Sequence, residues 1–477
     1  MRIILFLISL TILFSGCVPK VSTSKTIKDT KIDNELIKDL NKFSSNDIEL
    51  KNFWWRDFDD KQLNILIENA IKNAPSLKQL EAKYQKANNI IKAKKSSNLP
   101  NVNFESQATR QRFSENYIFP EPLGGNYYNL YQTGLKLQYD FDFWNQRASL
   151  IKASKNEALA QDALIKVKQL AISTSISKLY ISWNFKIEKL KKLSTLKKLV
   201  YEKHHILNDL YNIGLSNEEK VNESNYLIEK INQDILNVKE EIENIKNSIA
   251  VIAGLLPSQI NELKKPSISN KYRISVPQDI RLNVVSHLPQ VAVQKYLLAS
   301  KKQYIENAKS KFYPNISLTG LLHFTSFPFS QLLKESSFDP EAGLAFSLPI
   351  FDAKRRESNL NTKVNDYNAQ VYAYNETIIK AVNNIVTTLK KIQLNKSQEK
   401  SEKIVIFNKN KNKNIEKRVY ELGIKNKIDF INKNTELEEE KIKEIALQEK
   451  KFQLHIDLIE ALGGGYKNKV KDVLSSK

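Results

Sequence analysis

The chain has 477 residues, more than one compact core usually holds, so two domains or one elongated body is expected. Its 74 Lys and Arg against 53 Asp and Glu give a formal net charge of +21. The excess is mostly Lys in a chain also rich in Asn and Ile, with no dense basic run interleaved with aromatics, so no nucleic-acid partner is expected.

The N-terminus "MRIILFLISLTILFSGC" sets Arg2 before an apolar run from Ile3 to Phe14, followed by Ser15, Gly16 and Cys17. The run is too short to span a bilayer and has the layout of a secretory signal. Cys17 is the only cysteine, so no intramolecular disulfide can form. A lone cysteine after two small residues resembles a bacterial lipobox, which implies acylation of Cys17 and removal of residues 1–16. Phe14 stands where that motif usually has Leu. Val18 follows the cysteine in place of the Asp associated with inner-membrane retention, which favours the outer membrane. No other apolar stretch approaches the ~20 residues of a membrane helix. Any crossing must therefore use strands.

Residues 76–98 read as a helix that Pro100 ends. The period then becomes two. Val102, Phe104, Ser106 and Ala108 alternate with Asn103, Glu105, Gln107 and Thr109; Leu135, Leu137, Tyr139, Phe141 and Phe143 alternate with Lys136, Gln138, Asp140 and Asp142. Later, Ile316, Leu318, Gly320 and Leu322, and then Leu344, Phe346, Leu348 and Ile350, repeat the pattern. One apolar and one polar face suits a membrane barrel wall around a wet lumen, and equally a half-buried soluble sheet. The secretion signal favours the barrel. Four strands are too few to close one, because the smallest have about eight, so several chains must share it.

From Asn145 to Ala253 there is no proline and one glycine, Gly214; Asp352 to Leu462 is alike, with Gly423. Ile228, Ile231, Ile235, Val238, Ile242, Ile245, Ile249 and Ile252 recur at spacings of three and four, a coiled-coil seam. Ile442, Ile445, Phe452, Ile456 and Ile459 continue that register in the second region, with Glu449 intruding. A helix of about 65 residues is roughly 100 Å long, the dimension of a tube or rod.

These segments are two copies of one plan. Gly134, Arg147, Tyr211, Gly214 and Gly254 have counterparts 209 residues on at Gly343, Arg356, Tyr420, Gly423 and Gly463, whereas Pro75 and Pro100 match Pro289 and Pro314 at an offset of 214. The first copy thus carries five extra residues between Pro100 and Gly134, read as a loop at one end. The expected division is a signal peptide (1–16), a lipid-anchored segment (17–52), a first repeat (53–265), a second repeat (266–466) and a tail (467–477). Strands are expected at about 101–143 and 314–351, and long helices at about 145–253 and 353–462.

In this order and spacing, "FWWRDFDDKQLNILIENAIKNAPSL", "YDFDFWNQR", "AKSKFYPNISLTG", "FSLPIFDAKRR", "YELGIKNKIDF" and "EALGGGY" resemble a TolC-like outer membrane factor, of the lipid-anchored branch serving drug and metal efflux. The resemblance covers nearly all the mature chain. It implies a mainly α fold with a membrane β-barrel: a homotrimer in which each chain gives four strands to a 12-stranded barrel above a long periplasmic helical barrel. It also implies an exit duct working with a periplasmic adaptor and an inner-membrane pump, in contact with outer membrane lipid.

The turns at Gly214 and Gly423 then fall at the periplasmic tip, where glycine after a helix lets the chain reverse. By resemblance, the adaptor-docking residues are Gly214, Leu215, Ser216, Gly423, Ile424 and Lys425. The family places acidic gate residues just past the second turn. Asp429 matches the first, and Asn432 departs from the second. Lys425 stands where Arg is common, Tyr420 matches a gate tyrosine, and Lys220 is the first-copy counterpart of Asp429. Three Asp429 carboxylates near a three-fold axis would raise one another's pKa and attract cations, and Lys220 could pair with Asp429 to hold the tip shut. The plainer reading is solvated surface charges, worth under ~1 kcal/mol even if paired.

His204 and His205 are adjacent and cannot make the i, i+4 pair of a helical metal site. The glycines at 463–465 end a helix and form no phosphate loop. No nucleophile–base arrangement is present, so neither an enzyme nor a cofactor is expected. Two other readings stay open, a duct for type I protein secretion and a periplasmic coiled-coil structural or adaptor protein.

Overall fold

A computed structural model describes residues 19, 21–26, 53–116, 118, 120–268, 285 and 288–466. The expected signal peptide, Cys17 and the tail at 467–477 lie outside the described residues.

A 3₁₀ turn at Trp54–Phe58 is followed by helices α1 (Lys61–Asn73) and α2 (Pro75–Ser96). Strands β1 (Asn101–Arg112) and β2 (Tyr127–Phe141) follow, then α3 (Gln146–Asn212) and α4 (Glu218–Ala253). After the short α5 (Pro257–Asn261), the plan recurs as α6 (Pro289–Ser310), β3 (Asn315–Ser326), β4 (Phe338–Ser347), α7 (Arg355–Glu421) and α8 (Lys427–Ala461). The matched helices agree closely in length: α2 and α6 have 22 residues each, and α3 and α7 have 67 each. At 1.5 Å per residue, α3 and α7 are each about 100 Å long. The five extra residues of the first copy fall between Arg112 and Asn129, in the β1–β2 connection and the start of β2.

The four strands form one antiparallel sheet in the order β1-β2-β3-β4, leaving β1 and β4 as open edges. β4 stops at Ser347, short of the expected Ile350, because Pro349 has no N–H for the ladder.

The helices pack as two antiparallel hairpins, α3–α4 and α7–α8, and α3 also packs against α6, α8 and α2. The isoleucine seam of α4 is occupied as its period predicts. Ile228, Ile231, Val238, Ile242 and Ile249 are buried, with Ile235, Ile245 and Ile252 packed beside them. The same apolar cluster takes in Trp54, Trp55, Phe58, Tyr180, Trp183, Phe185 and, from the second repeat, Phe452 and Ile456.

Glu449, out of pattern in the sequence, is aimed across at α3, where Ser182 donates to it and Gln453 bonds to both (2.9 Å to Ser182 Oγ and 3.1 Å to Glu449 Oε1). A polar ladder runs along the α3–α8 contact: Lys427–Glu202 (2.5 Å), Lys192–Glu438 (3.0 Å), the Ser182–Glu449 bond, and Lys178 with Asp457 (2.6 Å) and Glu460 (2.9 Å).

Asp60 ties the N-terminal body to this framework. It caps α1 by accepting from the Gln62 and Leu63 N–H groups (2.8 and 3.0 Å), and its second oxygen accepts from the buried Tyr180 hydroxyl (3.0 Å). Burial, and then the Asp60 charge, push Tyr180 above the ordinary tyrosine range, so it stays a donor. Tyr180→Phe should cost about 1–3 kcal/mol by leaving Asp60 short of a donor. Denaturant unfolding checks this; an unchanged midpoint would show that water replaces the hydroxyl.

Candidate functional site

The strand register gathers most of the apolar positions on one face. Rows run Val102–Leu137–Gly320–Ala342, Phe104–Leu135–Leu322–Pro340, Tyr139–Leu318–Leu344 and Phe141–Ile316–Phe346 across the sheet. None of the described residues covers this face: Phe104, Leu344 and Phe346 are 71%, 73% and 51% exposed. Aromatics mark both of its ends. Tyr131, Phe324 and Phe338 stand at the hairpin-loop end, and Tyr139, Phe141 and Phe143 at the helix end, where Phe141 and Phe143 stack at 5.5 Å. The stretch from Phe141 to Tyr131 spans about 26 Å along a barrel axis at ~3.4 Å per residue and a ~40° tilt, the height of a lipid-facing band with its two girdles.

The opposite face is polar. It carries the rows Asn103–Lys136–Leu321–Glu341 and Glu105–Gly134–His323–Asp339. Lys136 lies 3.5 Å from Glu105, and His323 Nε2 lies 3.4 Å from Asp339.

Asp140 and Asp142 are not a solvated pair on this face. Arg147 donates to Asp140, and Asp142, just past the strand, accepts from the Arg147 and Ala148 N–H groups (3.0 and 2.8 Å) at the start of α3. Asn145 and Lys354, 209 residues apart, both take left-handed conformations where strand turns into long helix (φ 56° and 66°).

At the far end of the helices the two turns share one design. Gly214 and Gly423 have φ of 75° and 73°. Leu215 N–H donates to Leu210 C=O and Gly214 N–H to Tyr211 C=O; Ile424 to Val419 and Gly423 to Tyr420 repeat the pattern. This is the six-to-one, five-to-two pairing of a Schellman end, which uses carbonyls the helix leaves over. Three residues on, Asn217 and Asn426 cap the next helices by accepting from Lys220 N–H (3.2 Å) and Asp429 N–H (3.0 Å). The tips are apolar and exposed: Leu215 is 73% and Ile424 70% accessible, with Ser216 half-buried beside the first.

The structure separates some of the residues that sequence grouped. Lys220 and Asp429 make no ion pair with each other within the chain; pairs at this end include Lys425–Glu416 (2.7 Å), Lys427–Glu202 (2.5 Å) and Lys417–Glu421 (3.5 Å). The Glu416 carboxylate, and further off Asp429, raise the Lys425 pKa, and Glu202 raises that of Lys427. Tyr420 stacks on Phe430 with centroids 6.4 Å apart and planes 7° from parallel. Asp429 and Asn432 are half-buried in the first turns of α8. Glu202, Glu416 and Lys427 were missed by sequence reasoning. Glu416 lies in a part of α7 with no apolar period to mark it, and Glu202 lies on a different hairpin from its partner.

Residues 66–255 and 283–464 match the outer membrane efflux protein family. Among similar proteins, the multidrug resistance outer membrane protein MdtQ of Escherichia coli O157:H7 is 24% identical over 353 residues, 71% of this chain and 72% of that one. MdtP, of the same description, from Escherichia coli K12 is 21% identical over 425 residues, 87% and 86% of the two chains. The fold is that of the Vibrio cholerae outer membrane protein VceC (TM-score 0.80, 23% identity, 88% of this chain and all of that one) and the Campylobacter jejuni outer membrane channel CmeC (TM-score 0.82, 21% identity, 96% of each). With both blocks of the repeat matched, an uncovered apolar sheet face and two helical hairpins, the chain belongs to the outer membrane efflux protein family.

Proposed function

We propose that three copies of this chain form an outer-membrane exit duct through which an inner-membrane pump and a periplasmic adaptor discharge small molecules. The observation that carries this is the open four-stranded sheet, apolar outside and polar inside, set on two helical hairpins about 100 Å long. Three such sheets joined edge to edge give twelve strands and leave no unpaired edge in lipid. The multidrug-resistance descriptions of MdtQ and MdtP support small molecules as cargo over secreted protein.

Acylated Cys17 anchors the mature chain in this reading, and residues 1–16 are its signal. Support comes from Val21, which packs on Ile305, Ala308, Leu360 and Val364, and from Ser24, whose N–H donates to Asn368 Oδ1 (2.8 Å). These contacts hold the segment near the strand-bearing end of α7.

The adaptor docks on Gly214, Leu215 and Ser216 and on Gly423, Ile424 and Lys425, two apolar knuckles of matched backbone. Asp429 and Asn432, with Tyr420, Lys425 and Lys220, form the gate, to which the Lys427–Glu202 link between the hairpins is added.

The test is conductance of the purified trimer in planar bilayers. Asp429→Ala with Lys220→Ala should raise it several-fold, and Lys427→Ala should raise it alone. Channels that conduct like the parent would remove the gate assignment; protein that migrates as a soluble monomer would remove the duct.

A further inference from the structure

The seams of the two hairpins differ in kind. In the half of α7 nearest the tip, every residue from 391 to 419 is exposed except Ile392, Asn395, Glu399, Glu402, Ile406, Lys409, Lys413, Glu416 and Val419. As far as Glu416 their spacing alternates three and four, the period of a coiled-coil seam. Six of these nine side chains are polar or charged, where the α4 seam has only Ile and Val. A hydropathy pattern cannot reveal such a seam.

Most of its polar rungs are satisfied. Asn395 Nδ2 donates to Leu447 C=O (3.3 Å), Glu399 lies 3.6 Å from Lys451, Lys409 pairs with Glu436 (2.6 Å), and Glu416 with Lys425 (2.7 Å). Asn395 Oδ1 and one Glu416 oxygen are also enclosed without a hydrogen bond, but Glu402 differs in what it faces, which is another carboxylate. Across the seam it meets Glu440, whose nearest cation is Lys443 (3.1 Å). One Glu402 oxygen is enclosed with no hydrogen-bond partner. Also around it are Glu444 of α8 and, lining an adjoining cavity, Glu399, Lys403 and Lys451. Lys192 of α3 is engaged with Glu438.

We propose that Glu402 and Glu440 form a proton-binding site that latches the lower α7–α8 seam. With one proton, one carboxyl donates to the other and the enclosed oxygen is satisfied; with none, two like charges face each other between helices that share little apolar surface.

The direction follows from the environment. Burial, and then the Glu440 charge, push Glu402 above the ordinary carboxylate range. Its contribution to closure is therefore complete below that range and lost as pH rises through the raised value. Glu436 works oppositely: hydrogen bonds from Lys409 and Lys433 hold it low, so its contribution is lost as pH falls through its lowered value. The seam is tightest in mild acid and loosens towards alkaline pH. α8 begins at the tip and carries Asp429, so a loosened seam frees the gate; that consequence rests on the duct reading.

The experiment measures the seam itself. Spin labels at Asn408→Cys on α7 and Glu439→Cys on α8, both exposed, are placed in the full trimer with Cys17→Ala. Their distance distribution should be narrow at about pH 5 and broaden at about pH 8. In Glu402→Gln, which keeps a donor at every pH, it should stay narrow at both, with the trimer still heat-resistant. Equal widths at the two pH values in the parent, or the same broadening in Glu402→Gln, would overturn the latch. Conductance recorded in parallel separates the two readings: a pH-dependent distance without channel activity leaves the latch standing and removes the duct.

Discussion

Gly134→Val is expected to abolish the assembled barrel. A Cβ at this position would lie 2.3 Å from the Leu322 carbonyl oxygen and 2.4 Å from His323 Cα. Both are backbone atoms of the paired strand β3, so no side-chain rotation relieves the contact. Overpacking costs about 1–3 kcal/mol where neighbours can give. Here the β2–β3 register must yield instead, and a slip of one residue would turn Leu135, Leu137 and Tyr139 from lipid to lumen. Gly320 is the contrast: its added Cβ would find nothing nearer than Leu137 Cβ at 3.8 Å, so Gly320→Ala should be tolerated. Heat-resistant trimer in the outer-membrane fraction reads the difference. Normal amounts of Gly134→Val trimer would mean that the close strand approach is not required.

Phe452→Ala is expected to destabilise the helical body by about 3–5 kcal/mol, the range for truncating a buried aromatic. Phe452 of α8 is 4% exposed and touches Phe185 of α3 and Phe58 of the N-terminal turn, with centroids 5.5 and 6.3 Å away. Ile445, Ile456 and Ile459 of α8 share its apolar cluster, and beside them runs the polar ladder, partly exposed and therefore weak rung by rung. Truncating Phe452 removes the aromatic member of that cluster on α8 and opens a cavity beneath the tryptophan turn. Phe452→Leu, which keeps much of the volume, should lose less. Denaturant unfolding and limited proteolysis near Trp54–Phe58 would register both effects, and equal stability of the two variants would show that the repeats are held by the ladder.

How much was legible depended on how local the controlling chemistry is. Period-two alternation in "GLKLQYDFDF" set the two faces of β2, and the three-four spacing of isoleucine in α4 set its seam, because each is a rule about near neighbours. Gly214 and Gly423 announced their turns for the same reason: a left-handed residue after a helix is a local need, and Asn217 and Asn426 three residues later complete it. Period and punctuation alone thus determined a duplicated, elongated molecule with one sheet of two unlike faces.

Other features became clear only in three dimensions. Gly134 and Gly320 look alike in sequence, yet only the first sits where β3 approaches too closely for a side chain. Glu449 breaks a pattern until Ser182, on the other hairpin, is seen opposite it. Lys425 and Lys427 proved to be engaged with Glu416 and Glu202 rather than with residues of their own turn. The tip half of α7 carried no apolar period at all, and only its burial disclosed a seam built from Asn395, Glu399, Glu402, Lys409 and Glu416. The physical reason is common to these cases. Side chains far apart in sequence meet according to how long helices are rotated and registered against each other, and that is settled by packing of the whole body.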